Sequence, residues 1–64
     1  MQFYLATHDK LTYINQAGRK AKRGSGDMPK VFETAEAAYD YQRNPSNGGP
    51  DFCVQQYKVV IVHG

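Results

Sequence analysis

The sequence predicts a small α+β domain in which one helix packs on a face of a three- or four-stranded, mainly antiparallel sheet. Three observations support this class. Short runs rich in apolar, aromatic and β-branched residues lie near both ends of the chain, as in strands. An alanine-rich run in the middle favours helix. Segments rich in glycine, proline and asparagine separate these runs. The predicted order of elements is therefore ββαβ.

The length of the chain, 64 residues, is enough for one domain at most, residues 1–64. Cys53 is the only cysteine, which excludes an internal disulfide and a disulfide-rich secreted scaffold. The first eight residues lack the features of a signal peptide, and the longest apolar run, residues 59–62, is far shorter than the roughly 20 residues that span a bilayer. We therefore expect a soluble, cytoplasmic protein. Homodimerisation would add buried surface, and the sequence leaves it open.

The amino-terminal half predicts a hairpin followed by a loop. Gln2–Thr7 alternates as a first strand, residues 8–10 form a short turn, and residues 11–15 return as a second strand. Residues 18–30 favour neither helix nor strand, and Pro29 biases the residue before it toward an extended conformation. We expect a flexible basic loop over residues 18–30.

The carboxy-terminal half predicts a helix and a final strand. Residues 31–33 are short and apolar, and they form either a brief strand or the lead-in to the helix. Thr34 is a favourable N-cap, and the three alanines of Ala35–Gln42 favour helix. Pro45 stops the helix, and residues 46–50 form a loop.

The final strand is predicted over residues 52–62, where apolar residues occupy both even and odd positions. This pattern indicates either a bulge near Gln55 or a strand that is buried on both faces toward its end. We expect one core shared by the helix and the sheet. Its predicted members are Phe3, Leu5, Ile14, Phe32, Ala38, Tyr41, Val59 and Ile61.

Residues that could carry chemistry do not form a known pattern. His8, Cys53 and His63 are potential metal ligands, but ten residues of one strand would separate the last two by about 33 Å. No CxxC or HxxxH spacing is present. Ser25 and Ser46 lie in glycine-containing segments that do not hold a nucleophile against a base. We therefore predict no catalytic residue, no metal site and no cofactor, and a protein that is not an enzyme.

Positive charge is concentrated in residues 18–30, which hold five of the eight Lys and Arg residues and one acid, Asp27. Such a cluster is typical of a contact surface for an anionic partner, and equally of a loop that keeps a chain soluble. Tyrosines on an exposed sheet face would add rings that stack on bases or anchor a protein interface. The residues predicted to contact a partner are Arg19, Lys20, Lys22, Arg23, Lys30, Tyr4 and Tyr13.

In outline, the chain resembles the very short phage-encoded proteins that take over or inhibit host machinery, such as the bacteriophage T7 inhibitor of host RNA polymerase. The shared features are the length, a strand hairpin, a helix entered through residues 32–38, and a closing strand after a glycine-containing loop. The basic segment departs from the acidic character expected of that inhibitor's polymerase-facing strand. The resemblance therefore implies a mode of action and a host cytoplasm, and it carries over neither a target nor a functional residue.

These features predict a non-enzymatic binding module, a phage-type inhibitor or modifier of a larger host protein or nucleoprotein complex. The alternative is an auxiliary nucleic-acid-binding protein that uses the basic loop. Mimicry of DNA is disfavoured because a mimic needs dense acidic charge and this chain has a net charge of +2.

Overall fold

One helix packs on a four-stranded antiparallel sheet in the computed structural model of the protein, which confirms the predicted α+β class. The structure describes residues 1–57. The elements are strands β1 (Gln2–Thr7), β2 (Thr12–Ile14) and β3 (Lys20–Lys22), helix α1 (Ala35–Gln42) and strand β4 (Phe52–Tyr57). In space the strands lie in the order β3-β2-β1-β4, and each neighbouring pair is antiparallel.

The basic segment corrects one prediction. Residues 18–30 are not a loop throughout, because Lys20–Lys22 forms the edge strand β3 and pairs with β2. Within β3 the side chain of Ala21 is buried and the flanking lysines are exposed. This alternation is too short to be recognised from the sequence alone. The order of elements along the chain is therefore βββαβ and not ββαβ.

Asn15 organises the turn between β2 and β3. Its side-chain oxygen accepts hydrogen bonds from the backbone N–H groups of Ala17 at 3.0 Å and Arg19 at 2.9 Å. Gly18 then adopts a φ of 79°, a left-handed conformation that costs glycine less than other residues. This local network brings the chain back onto β2 and so creates the third strand.

The connection from β3 to α1 passes between the diverging ends of β1 and β2. The backbone N–H of Lys30 donates to the carbonyl of Ile14 at 2.9 Å, at the end of β2. Phe32 exchanges two backbone hydrogen bonds with Phe3 of β1, at 2.7 and 2.8 Å. Residues 31–33, predicted as a brief strand or a helix lead-in, thus supply a single β-bridge ahead of the helix.

Helix α1 has the predicted bounds and the predicted cap. The hydroxyl of Thr34 accepts a hydrogen bond from the backbone N–H of Ala37 at 3.1 Å, and Glu36 places a negative charge in the first turn. After the helix, the predicted loop contains two short 3₁₀ turns, Pro45–Asn47 and Gly49–Asp51.

The core lies between α1 and one face of the sheet. The prediction is confirmed for buried Leu5, Ile14 and Ala38 and for the partly buried Phe3, Phe32 and Tyr41 that pack against them. Sequence reasoning missed Phe52, which is buried, and Val54, which packs beside it. The predicted core residues Val59 and Ile61 lie outside the described residues.

Strand β4 pairs with β1 in an unbroken antiparallel register from Thr7↔Phe52 to Gln2↔Tyr57. The pairing passes through Gln55 without an extra residue, so the bulge considered there does not form. The predicted continuation of the strand to residue 62 lies outside the described residues.

Candidate functional site

The sheet has one face that no helix covers within residues 1–57, and we call it the open face. Residues paired across neighbouring strands point to the same side of a sheet, so the register assigns its members. On β1 and β4 the register pairs Ala6 with Cys53 and Tyr4 with Gln55, and Ala6 also pairs with Tyr13 on β2. The open face consists of Gln2, Tyr4, Ala6, Tyr13, Ala21, Cys53, Gln55 and Tyr57.

Three tyrosines dominate the open face. Tyr4, Tyr13 and Tyr57 are each partly buried, whereas Ala6 beneath them is fully buried. The rings of Tyr4 and Tyr57 meet edge to face, with centroids 5.6 Å apart and an interplanar angle of 71°. Large rings beside a small residue form a ridged apolar surface instead of a flat one.

Residues 24–29, which we call the glycine arm, fold back against the open face. The hydroxyl of Tyr13 donates a hydrogen bond to the backbone carbonyl of Asp27 and lies 3.3 Å from the hydroxyl oxygen of Ser25. Gly24 and Gly26 adopt φ values of 89° and 85°, which permit the reversal. The arm thus forms one wall of the site.

An open depression of about 560 Å³ lies between the glycine arm and the tyrosines. The side chains that matter for its chemistry are Tyr4, Tyr13, Tyr57, Lys10, Arg23 and Asp27. Burial raises the pKa of Tyr4, and the positive charge of Arg23 opposes part of that rise. The site therefore places a guanidinium beside partly desolvated aromatic rings.

The structure brings three of the predicted contact residues together. Arg23, Tyr4 and Tyr13 all line the depression. Arg19 lies at the exposed end of the β2–β3 turn, outside that lining. Lys10 also lines the depression, at the turn between β1 and β2, although it was not in the predicted set.

The three other predicted contact residues, all lysines, lie away from the depression. Lys20 and Lys22 point to the face of the sheet that carries the core, and the Lys20 ammonium lies 5.8 Å from the centroid of the Phe52 ring. The Lys30 ammonium lies 5.3 Å from the centroid of the Tyr41 ring on α1. Cations adjacent in sequence are thus divided between two sides of the molecule, since successive strand residues point in opposite directions.

Sequence reasoning also missed Tyr57. Its position next to Tyr4 depends on the register between β1 and β4, which aligns Tyr57 with Gln2. The sequence holds part of the signal: Tyr57 and Cys53 are four residues apart in the final strand, so their side chains point to the same face of the sheet. The sequence alone does not tell whether that face is the open one, because this depends on how β4 pairs with β1.

Charge is segregated between the two halves of the chain. Residues 1–30 hold six Lys or Arg and two Asp or Glu, whereas residues 31–57 hold one Arg and four Asp or Glu. The ion pair in the described part of the chain joins Arg43 and Asp40 at 3.5 Å, and both side chains belong to the acidic half. The six cations of residues 1–30 therefore lack ion-pair partners within residues 1–57.

A second open depression, also about 560 Å³, lies beside α1 and the 3₁₀ turns. Its charged side chains are Glu36, Asp40 and Arg43, and the last two form the ion pair described above. This depression contains acids and a compensated cation, so it lacks the free positive charge of the open face.

Metal chemistry has no assembled ligand set in the part of the chain that the structure describes, where no three His, Cys, Asp or Glu side chains converge. Cys53 is engaged locally: its sulfur lies 3.4 Å from the carbonyl oxygen of Ala6 and accepts from the side-chain amide of Gln55 at 3.1 Å. Over the same residues, no helix has the length and apolar character needed to cross a membrane.

Comparison with known proteins finds no relative of this chain. No protein-family model, curated protein or solved structure matches this chain. The likeness to short phage inhibitors stays a prediction from the sequence.

Proposed function

We propose that the protein is a non-enzymatic binding module that attaches to a larger protein or nucleoprotein complex through the open face. One observation carries the proposal: Tyr4, Tyr13 and Tyr57 share a concave surface with the cations Lys10 and Arg23. Tyrosine and arginine are the side chains most enriched in binding hot spots, because they combine large contact area with directed hydrogen bonding.

The form of the site supports binding in preference to catalysis. Catalytic sites usually exclude water and bring a nucleophile or base within hydrogen-bond reach of a reacting atom. The depression on the open face is wide, and its lining combines phenols and cations with a single carboxylate, Asp27. Such a surface suits the burial of a partner's side chains or bases.

The mode of action follows from the resemblance to short phage proteins. We propose that the bound complex is part of the machinery of a host cell and that the protein inhibits or modifies it in the cytoplasm. A chain of 64 residues acts most simply by occupying a surface that the complex needs for another contact.

A second candidate is an auxiliary nucleic-acid-binding protein. The observation that favours it is the segregation of charge, with six cations and two acids in residues 1–30. Such a field attracts phosphates and accelerates encounter with a polyanion.

Affinity capture from host lysate, run with and without nuclease treatment, tests the open face directly. The bait is the tagged protein, compared with the double variant Tyr4→Ala/Arg23→Ala. The matched control is Tyr39→Ala/Arg43→Ala, which removes the same residue types from the helix, where Tyr39 is 54% exposed. We expect a stoichiometric partner on the wild type and the control and its loss from the open-face variant. A partner retained equally by all three baits, or no stoichiometric partner either with or without nuclease, would exclude the proposal.

A further inference from the structure

We infer that the anionic element bound by the open face is single-stranded nucleic acid, with bases stacked on Tyr4 and Tyr57 and phosphates held by Arg23 and Lys10. The inference rests on the open face being the binding surface proposed above. It names the chemistry of the ligand and assigns separate roles to the three tyrosines.

The pair of Tyr4 and Tyr57 supplies the stacking surface. Because the two rings meet at 71°, they do not lie flat on each other, and each ring keeps a flat side that the other does not cover. Both side chains are partly exposed at diagonal positions of neighbouring strands, since Tyr4 pairs with Gln55 and Tyr57 with Gln2. Aromatic rings presented in this way on a sheet stack with bases of any sequence, since every base has a π-face.

Tyr13 has a different role, because its hydroxyl is already used. It donates to the carbonyl of Asp27 and lies close to Ser25, so the ring is fixed against the glycine arm. We assign Tyr13 to holding the wall of the depression in place. It is a positioning residue and not a stacking platform.

Arg23 and Lys10 provide the phosphate contacts. Both line the depression, and neither has an ion-pair partner within residues 1–57. A guanidinium presents several N–H donors that match phosphate oxygens, and an ammonium adds a compact point charge. The single acid in the lining, Asp27, leaves the depression with a net positive charge.

The combination of rings and cations favours a single strand over the other polyanions. In a duplex the base faces are covered by their neighbours, so the rings would have nothing to stack on. An acidic protein surface would satisfy the cations but offers no array of planar groups for the tyrosines. A single strand uses both features at once.

Fluorescence anisotropy with labelled oligomers of about eight nucleotides, a length that such surfaces cover, tests the inference. The probes are oligouridine, oligothymidine, an abasic deoxyribose oligomer with the same number of phosphates, and an oligoglutamate peptide of equal length. We expect the abasic oligomer to bind at least about 30-fold more weakly than oligothymidine, because the stacking of two bases, one on Tyr4 and one on Tyr57, is lost. The uridine and thymidine arms distinguish RNA from DNA as the source of the ligand.

Variants assign the effect to named residues. Tyr57→Ala should weaken binding of the base-containing oligomers, again by roughly 5- to 150-fold, and leave the abasic oligomer unchanged. Tyr57→Phe keeps the ring and should keep the affinity. Arg23→Ala should reduce the slope of log K against log salt by about 0.7, the value for one phosphate contact to a single strand. The matched controls Tyr39→Ala and Arg43→Ala should change neither quantity.

If the wild-type protein binds the abasic and the base-containing oligomers with equal affinity, the bases do not stack on the tyrosines and the inference is wrong. This comparison uses the wild-type protein alone, so it does not depend on whether a variant folds. An oligoglutamate peptide that binds as tightly as oligothymidine would identify an acidic protein surface as the partner and overturn the inference. If no oligomer binds while lysate capture still depends on Tyr4 and Arg23, the inference fails and the proposed binding function stands.

Discussion

The hydroxyl oxygen of Tyr41 lies 2.9 Å from the position that a Cβ atom would occupy on Gly18. Through this approach the helix touches the turn between β2 and β3. The Tyr41 ring also packs against Phe32, with centroids 5.4 Å apart, and lies beneath the ammonium of Lys30. This one helical side chain therefore contacts both the turn between β2 and β3 and the connection from β3 to α1.

Because of this contact, we expect Gly18→Ala to destabilise the fold by more than the strain of placing alanine at a positive φ. The substitution forces a side chain into the left-handed region at φ 79° and places its Cβ against the Tyr41 hydroxyl. We expect a loss of about 2–3 kcal/mol in the free energy of unfolding, of which about 1–2 kcal/mol is backbone strain. Urea denaturation followed by circular dichroism measures it.

Gly24→Ala is the matched control. Gly24 has a similar φ of 89°, and nothing lies within 4 Å of its added Cβ. It should therefore show the backbone strain alone. Adding Tyr41→Phe to Gly18→Ala removes the hydroxyl. The free energy of unfolding lost by Gly18→Ala should then fall to that lost by Gly24→Ala. If Gly18→Ala and Gly24→Ala lower the free energy of unfolding equally, the contact with Tyr41 does not contribute to the cost of Gly18→Ala.

The elements that sequence reasoning predicted correctly carry their own local signals. Helix α1 has an N-cap at Thr34 and three alanines in Ala35–Gln42, and these act within one or two turns. Strand β1 is a run of apolar and aromatic residues, Phe3 to Ala6, bounded by the polar residues Gln2 and Thr7. Strand β3 has no such signal, since the three residues of Lys20–Lys22 become a strand only because the Asn15 turn returns them to β2.

The candidate site was predicted only in part because it depends on pairing across strands. Tyr4 and Tyr13 were identified, and they share the open face. Tyr57 joins them through the register of β4 with β1, and Lys10 joins them through the hairpin turn. Proximity in sequence grouped Lys20 with Arg23, whereas the pleat of the strand separates them.

Leu5 should be among the most costly residues to truncate. Its side chain is fully buried between the sheet and α1, together with Ala38 and Phe52. Leu5→Ala should lower the free energy of unfolding by about 2–5 kcal/mol, which is much of the stability of so small a domain. Leu11→Ala removes the same atoms from a side chain that is 53% exposed, and it should cost less than about 0.5 kcal/mol. Similar melting temperatures for the two variants would contradict the described core.

Asp9 makes the first hairpin sensitive to acid. A hydrogen bond from the Thr7 hydroxyl at 2.6 Å, followed by one from the backbone N–H of Leu11 at 3.0 Å, lowers the pKa of Asp9 below its ordinary value of 3.8. A lowered pKa means that the folded state favours the carboxylate. Its contribution is therefore present above pH 3.8 and is lost as the pH falls through the folded-state pKa.

Asp9→Asn should accordingly flatten the acid limb of the stability curve, because the amide accepts the same hydrogen bonds but does not titrate. Thermal melting from neutral pH to below pH 3.8 measures the effect. Thr7→Val, which removes the strongest donor, should raise the pKa of Asp9 in an NMR titration of its carboxyl group. An acid limb of Asp9→Asn with the same slope as wild type would rule out this role of the carboxylate.

Tyr4 reports on the charge of the open face. Burial raises the pKa of its phenol, while the nearby guanidinium of Arg23 stabilises the phenolate and opposes the rise. Arg23→Ala removes the opposing charge, so the pKa of Tyr4 should rise further. The phenolate absorbance, taken as the difference between each protein and its Tyr4→Phe counterpart, isolates this titration from the other tyrosines.

A phosphate bound to Arg23 should act in the same direction as the substitution, because it neutralises the guanidinium without removing it. Saturating wild type with oligothymidine is therefore expected to raise the pKa of Tyr4, and the Arg23→Ala variant should show a smaller increase. Arg43→Ala, on the far side of the fold, should leave the titration unchanged. If the pKa of Tyr4 is the same in wild type and Arg23→Ala, the two side chains do not interact, and the arrangement on which the binding surface rests is wrong.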